Sequence, residues 1–156
     1  MPRRQIQHQY LHGSNSGRAG LITAVDTNVL VDIFGADPVF GGRSAEAMRH
    51  CMREGAVVAC AVVWAEAAVA FSGPEEFSRA MNDLSVAFDP FIPEAAVKAA
   101  QVWRRYLAPG GRRTRIASDF LIGAHAQSAA DQLLTRDRGF FRRYFAGLKV
   151  IDPSRP

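Results

Sequence analysis

Cysteine is scarce in this chain: 156 residues carry only Cys51 and Cys60. Two thiols are too few for a disulfide framework or a cysteine-rich zinc site. Both fall in segments that read as a helix and a strand, which makes them buried, reduced side chains of a cytoplasmic protein. Long apolar runs are also missing. The longest, Ala56 to Phe71, covers sixteen residues and contains Glu66, so it falls short of a membrane span. The N-terminus has no apolar stretch next to a cleavage site, so no secretion is expected. Lysine is nearly absent, with Lys98 and Lys149 the only two among 19 basic residues. The seventeen arginines carry planar forks suited to phosphate, although a GC-rich coding sequence enriches arginine as well. The net charge of +4 adds little, because residues 1–20 hold Arg3, Arg4 and Arg18 and no acid, leaving +1 for the rest. A composition of 48% hydrophobic and 22% charged residues excludes disorder and fits one packed domain.

Residues 1–20 have no apolar period and read as a disordered tail, an expression remnant or an extension from a mis-assigned start. Residues 21–156 read as a single domain in which short apolar runs alternate with helix-period segments. Strands are expected at Leu21–Val25, Ala56–Cys60, Val86–Phe88, Gln132–Leu134 and Leu148–Ile151. Helices are expected at Thr27–Phe34, Ser44–Glu54, Ala61–Phe71, from Pro74, from Pro93 to a stop at Pro109-Gly110-Gly111, from Ser118 to Ala130, and at Gly139–Phe145. Apolar strands alternating with helices imply an α/β/α sandwich around a parallel sheet of about five short strands.

Acids stand where this patterning should exclude them. Asp26 ends the first strand, Glu66 is the one polar residue in AVVACAVVWAEAAVAF, Asp119 lies in the first turn of an apolar helix, and Asp137 follows a later strand. A lone carboxylate in such a place is costly unless paired. Asp26, Asp119 and Asp137 each have an ordinary alternative as a cap or turn residue, but Glu66, mid-helix, has none. Sites in open parallel sheets form at the carboxyl ends of strands, which is where these residues would meet. Four converging carboxylates repel one another unless a cation neutralises them. Hard oxygen donors select Mg²⁺ or Mn²⁺, and no histidine or cysteine cluster competes. A carboxylate-held ion of this kind suits phosphodiester hydrolysis by an activated water.

The succession AVDTNVLVDIF, VVWAEAAVAF, ASDFLIGAHA and LLTRDRGFFRRYF resembles the PIN-domain nucleases, and within them the VapC-type toxins of toxin–antitoxin modules. The resemblance covers residues 21–151. It implies a parallel sheet in the order 3-2-1-4-5 and a Mg²⁺- or Mn²⁺-dependent endoribonuclease. Carried over position by position, Asp26, Glu66, Asp119 and Asp137 match the acidic metal ligands. Asn28 matches the polar residue two places after the first acid, and Thr135 the supporting hydroxyl before the last. The resemblance further implies a VapB-like antitoxin as partner and a homodimer, with the apolar helices of residues 61–84 as candidate contact surface.

Arg112, Arg113 and Arg115 precede the Asp119 helix and are candidates to hold an RNA backbone; Arg136, Arg138, Arg142 and Arg143 cluster around Asp137. His125, six positions past Asp119, lies about 240° round a helix from it and is expected to face away and pack. Asp32 reads as a solvated or arginine-paired surface acid, Asp89 as a turn residue and Asp131 as the start of a strand. Two other functions fit the same residues: a PIN-like module that binds RNA or protein without cutting, and a metal-dependent phosphomonoesterase.

Overall fold

The structure, a computed structural model, describes residues 20–108 and 117–155. Five strands form one wholly parallel sheet: β1 (Leu21–Val25), β2 (Gly55–Ala59), β3 (Val86–Phe88), β4 (Gln132–Leu134) and β5 (Lys149–Ile151). Their spatial order is β3-β2-β1-β4-β5, the order the family resemblance implies. Seven helices connect or flank them among the described residues: α1 (Thr27–Phe34), α2 (Gly41–Glu54), α3 (Ala61–Ala68), α4 (Pro74–Asp83), α5 (Pro93–Leu107), α6 (Ala117–Ala129) and α7 (Arg138–Tyr144).

The central strand explains the layering. Ile22, Thr23, Ala24 and Val25 are all buried, so residues pointing to either face of β1 are covered. That is the environment of a parallel sheet with helices on both sides. Helix α2 packs on β1 and β2, while α6 packs on β1 and β4. Helix α6 is buried almost all round, at Phe120, Ile122, Gly123, Ala124, His125 and Ala126. Gly123 is required there: a Cβ would stand 2.4 Å from the Phe145 ring. None of the described helices is long and apolar enough to cross a membrane.

The chain lays β2 and β3 to one side of β1, then returns to place β4 and β5 on the other. The reversal falls between β1 and β4, and their carboxyl ends bound the crevice where such sheets hold ligands.

Several element ends differ from those expected. Helix α2 starts at Gly41 rather than Ser44, because the Asp37 carboxylate takes the N–H groups of Val39 and Phe40, both at 2.8 Å, and organises the preceding turn. Cys60 leaves β2 with extended backbone and stands at the N-cap of α3. Helix α3 stops at Ala68, not Phe71. Val69 is 85% exposed and gains nothing from packing, whereas the Phe71 ring turns inward to Phe34 and Phe77. The predicted helix stop at Pro109-Gly110-Gly111 and the arginines Arg112, Arg113 and Arg115 lie outside the described residues, as do residues 1–19.

Candidate active site

Asp26 follows β1 at its carboxyl end, and its N–H continues the sheet by donating to the Leu134 carbonyl at 3.0 Å. It occupies the N-cap position of α1 but makes no side-chain capping bond, so the ordinary explanation for an acid there is not realised. The carboxylate instead turns toward β4. Thr135 Oγ1 donates to its Oδ2 at 2.6 Å and Asn28 Nδ2 donates to the same oxygen at 2.9 Å. Asp26 is only 7% exposed. Burial raises its pKa from 3.8 to about 6; the Thr135 hydroxyl and the Thr27 N–H oppose the rise, and the charges of Asp119 and Glu66 add to it.

Those influences place three of the four sequence-predicted acids on one edge. Glu66 enters from α3, where Thr27 Oγ1 donates to its Oε2 at 2.5 Å. It is half-buried, not buried as its apolar surroundings suggest, on a helix whose Ala61 and Ala65 are exposed. Asp119 sits in the first turn of α6, also half-buried. Asp137 stands at the N-cap position of α7 without a side-chain capping bond. It is linked to Asp26 through Thr135, whose Oγ1 accepts its backbone N–H at 3.0 Å.

Asn28 and Thr135 hold the arrangement. Asn28 Nδ2 also reaches Thr135 Oγ1 at 3.3 Å, and Asn28 Oδ1 accepts the Arg136 N–H at 3.2 Å. The Thr135 hydroxyl therefore donates once and accepts twice, its full capacity. Among the described residues no three His, Cys, Asp or Glu side chains are close enough to hold an ion as they stand. The donors suit a hard cation in kind: they are all carboxylate oxygens, and the buried one is strained by two like charges. Glu66 and Asp119 would have to turn inward to close around it.

Asp32 anchors a second cluster. It is arginine-paired, one of the two readings expected of it, but it is not at the surface: it is 2% exposed. Arg136 grips it with two nitrogens, Nε to Oδ2 at 2.8 Å and Nη2 to Oδ1 at 3.0 Å, and Ser44 Oγ donates to Oδ2 at 2.7 Å. The Arg136 guanidinium also lies 4.3 Å from the centre of the Phe40 ring. Asp32 falls three positions after buried Val29, on the inner stripe of α1, and that spacing is the signal that could have found it. His125 packs, as expected. It is buried, with Nε2 2.7 Å from Asp89 Oδ2 and its ring against Phe91. Asp89 is thereby more than a turn residue, tying the end of β3 to α6. Asp131 marks the entry to β4 as expected, standing just ahead of it, and its Oδ2 accepts the Ile22 N–H at 2.7 Å.

The PIN domain profile matches residues 23–146, most of the chain and all of the candidate site. The chain belongs to the PIN-domain family. No curated protein matches it significantly in sequence. Among solved structures, this PIN domain is similar to a chain of VapBC2 from Rickettsia felis, crystallised on a DNA fragment from their promoter, with TM-score 0.66 and 15% identity over 85% of this chain and 98% of that one. VapBC-1 from nontypeable Haemophilus influenzae matches with TM-score 0.64 and 21% identity over 86% and 100% of the two chains. A toxin–antitoxin complex from Klebsiella pneumoniae matches with TM-score 0.61 and 20% identity over 84% and 97%. At these identities the likeness is one of fold.

Proposed function

We propose that this PIN domain is a Mg²⁺- or Mn²⁺-dependent endoribonuclease and the VapC-type toxin of a toxin–antitoxin pair. The observation that carries the reading is Asp26: a buried carboxylate at the sheet's switch point, with no capping role, raised to a pKa of about 6 and faced by Asp119 and Glu66. Asp26, Glu66, Asp119 and Asp137 would hold the ion. A bound divalent cation lowers the pKa of its water and stabilises charge on the phosphoryl oxygens. Asn28 and Thr135 fix Asp26 by donating to Oδ2, which leaves the other face of the carboxylate to the crevice. Thr27 Oγ1 donates to Glu66 and fixes its carboxylate at the end of β1. Arg112, Arg113 and Arg115, just ahead of α6, are proposed RNA contacts.

An antitoxin partner is supported by the neighbours, one of which is a toxin–antitoxin complex. A homodimer is part of the same proposal, as is a cytoplasmic location, where RNA and an antitoxin would meet the protein. The wider spacing of the acids favours a second reading, a binding module that does not cut. Incubation of the purified protein with structured RNA, and beside it a generic phosphomonoester, separates the possibilities. Mg²⁺-dependent RNA cleavage that disappears in Asp26→Asn and Asp119→Asn is expected. Cleavage retained in both variants overturns the assignment of these acids; no cleavage under any divalent ion favours the binding module; turnover of the monoester alone favours a phosphatase.

A further inference from the structure

A second feature lies on the same edge of the sheet, past Asp137. A cavity of about 360 Å³ opens between the start of α7 and the segment after β5. Four arginines line it, Arg136, Arg138, Arg142 and Arg155, together with Asp152 and Ser154. Two of the four are already committed. Arg136 is locked on Asp32, and Arg155 lies 3.6 Å from Asp152. Arg138 and Arg142 make no ion pair among the described residues, and both face this one concavity. Arg143, next in sequence, does not line it; its guanidinium lies over the Tyr144 ring at 5.4 Å. The arginine cluster apparent in the sequence is thus divided by the fold.

We propose that this cavity binds a backbone phosphate of a single RNA strand, with Arg138 and Arg142 as the contacting residues. The inference rests on the ribonuclease reading and adds to it the direction in which the substrate lies. Because all strands are parallel, the carboxyl ends of β1, β4 and β5 share one edge, in that order. Neighbouring strands are about 4.8 Å apart, so the end of β5 lies on the order of 10 Å from that of β1. A strand whose scissile phosphate sits at Asp26 would pass Asp137 and reach the cavity with a neighbouring phosphate. The planar guanidinium fork matches a phosphate's oxygens, and two unneutralised arginines in a polar concavity supply charge without base selectivity. The substrate is therefore an RNA strand held by its backbone on the β5 side of the site.

The test measures binding of a fluorescein-labelled single-stranded RNA by fluorescence anisotropy, with the full chain carrying Asp26→Asn and without divalent ions, so that it does not depend on cleavage. Arg138→Ala/Arg142→Ala is compared with Arg143→Ala, which removes a like charge from the same helix outside the cavity. The double variant is expected to weaken binding on the order of ten-fold and to flatten the dependence of log affinity on log salt by roughly 1 to 1.5, two contacts at about 0.7 each. Arg143→Ala should do neither. Arg142→Ala alone, at an exposed position, guards against a folding defect. Unchanged affinity and slope in the double variant overturn the proposal, as does an equal effect of Arg143→Ala. Unchanged RNA binding with reduced binding of a poly-glutamate peptide assigns the cavity to an acidic protein instead and likewise overturns it. Arginine-dependent RNA binding in a protein whose wild type cuts no RNA would support the cavity while sinking the nuclease reading.

Discussion

Thr135 Oγ1 donates to Asp26 Oδ2 at 2.6 Å across the gap between two parallel strands that are 109 residues apart in sequence. The same oxygen accepts from Asn28 and from the Asp137 N–H. Thr135→Val keeps the shape and removes all three bonds at a fully buried position. It should cost about 1–3 kcal/mol of stability, since the Asp137 N–H loses its partner and Asp26 Oδ2 keeps only Asn28. The Thr135 bond also lowers the Asp26 pKa, so its loss should raise it further. If ionised Asp26 is needed for cleavage, the acid limb of the pH–rate profile moves to higher pH. Thr135→Ser, which keeps the hydroxyl, should restore the profile. Activity against pH for the three proteins checks this.

Asp26 itself should destabilise the metal-free protein at neutral pH. Its pKa is raised from 3.8 to about 6, so the folded state holds the proton more tightly than the unfolded chain does. Stability is then greatest below the unfolded value and is lost as pH rises through about 6. The shift corresponds to a ceiling of about 3 kcal/mol at pH 7. Asp26→Asn removes that cost and should unfold at higher urea than the wild type at neutral pH while losing activity. The gap should close as the pH falls from about 7 to about 4. Urea midpoints across that range decide it; a variant less stable at every pH contradicts the sign.

Breaking the Asp32–Arg136 pair should loosen the same edge from behind. Arg136 lies between Thr135 and Asp137, and its side chain is 31% exposed while that of Asp32 is 3% exposed. Arg136→Ala strands a buried carboxylate that keeps only the Ser44 hydroxyl. Loss of one partner of a fully buried pair costs about 3–5 kcal/mol, and the solvent reaching Arg136 reduces this to roughly 1–3 kcal/mol. A double-mutant cycle with Asp32→Asn, read by urea denaturation, should return a coupling energy well above that of an exposed pair such as Arg49–Glu46.

What could be read from the sequence follows from how far each signal travels along the chain. Strands β1, β3 and β4 announce themselves as short apolar runs between turn signals, and all three have the expected ends. Asp26 and Glu66 stood out because their immediate neighbours are apolar. The depth of the Asp32–Arg136 pair did not: an arginine partner for Asp32 is among the expectations, but which arginine, and how buried, depends on a fold that brings together positions 104 apart. The same holds for the arginines of α7: their sequence cluster is local, but which of them share a cavity depends on the turn after β5. Helix ends failed where a side chain bonded outside the period, as Asp37 does ahead of α2.

Gly123→Ala should test the packing that seats α6, and with it Asp119. The added Cβ would lie 2.4 to 2.8 Å from three atoms of the buried Phe145 ring. That ring is held in an aromatic cluster with Phe140 and Phe141 and cannot simply swing away. Overpacking of this kind costs about 1–3 kcal/mol. Phe145→Leu in the same chain makes room, so the double variant should recover part of the loss seen in thermal unfolding. An additive result would mean that the helix, not the ring, yields.

Divalent ions should stabilise the wild type if the proposed ligands bind them. Closing Glu66 and Asp119 onto Asp26 brings like charges together, which only a cation makes favourable. A ligand that binds the folded state alone adds about 2.7 kcal/mol at a hundred times its dissociation constant. Mg²⁺ should therefore raise the urea midpoint at pH 7, by an amount that grows with the logarithm of its concentration. Near the Asp26 pKa of about 6 the ion must also displace a proton, so the effect should shrink as the pH is lowered below it. Asp26→Asn should flatten the Mg²⁺ dependence, and Glu66→Gln should weaken it. Equal Mg²⁺ stabilisation of the wild type and Asp26→Asn would place the bound ion elsewhere on the protein, because a carboxamide in that position cannot supply the charge that draws the ion in.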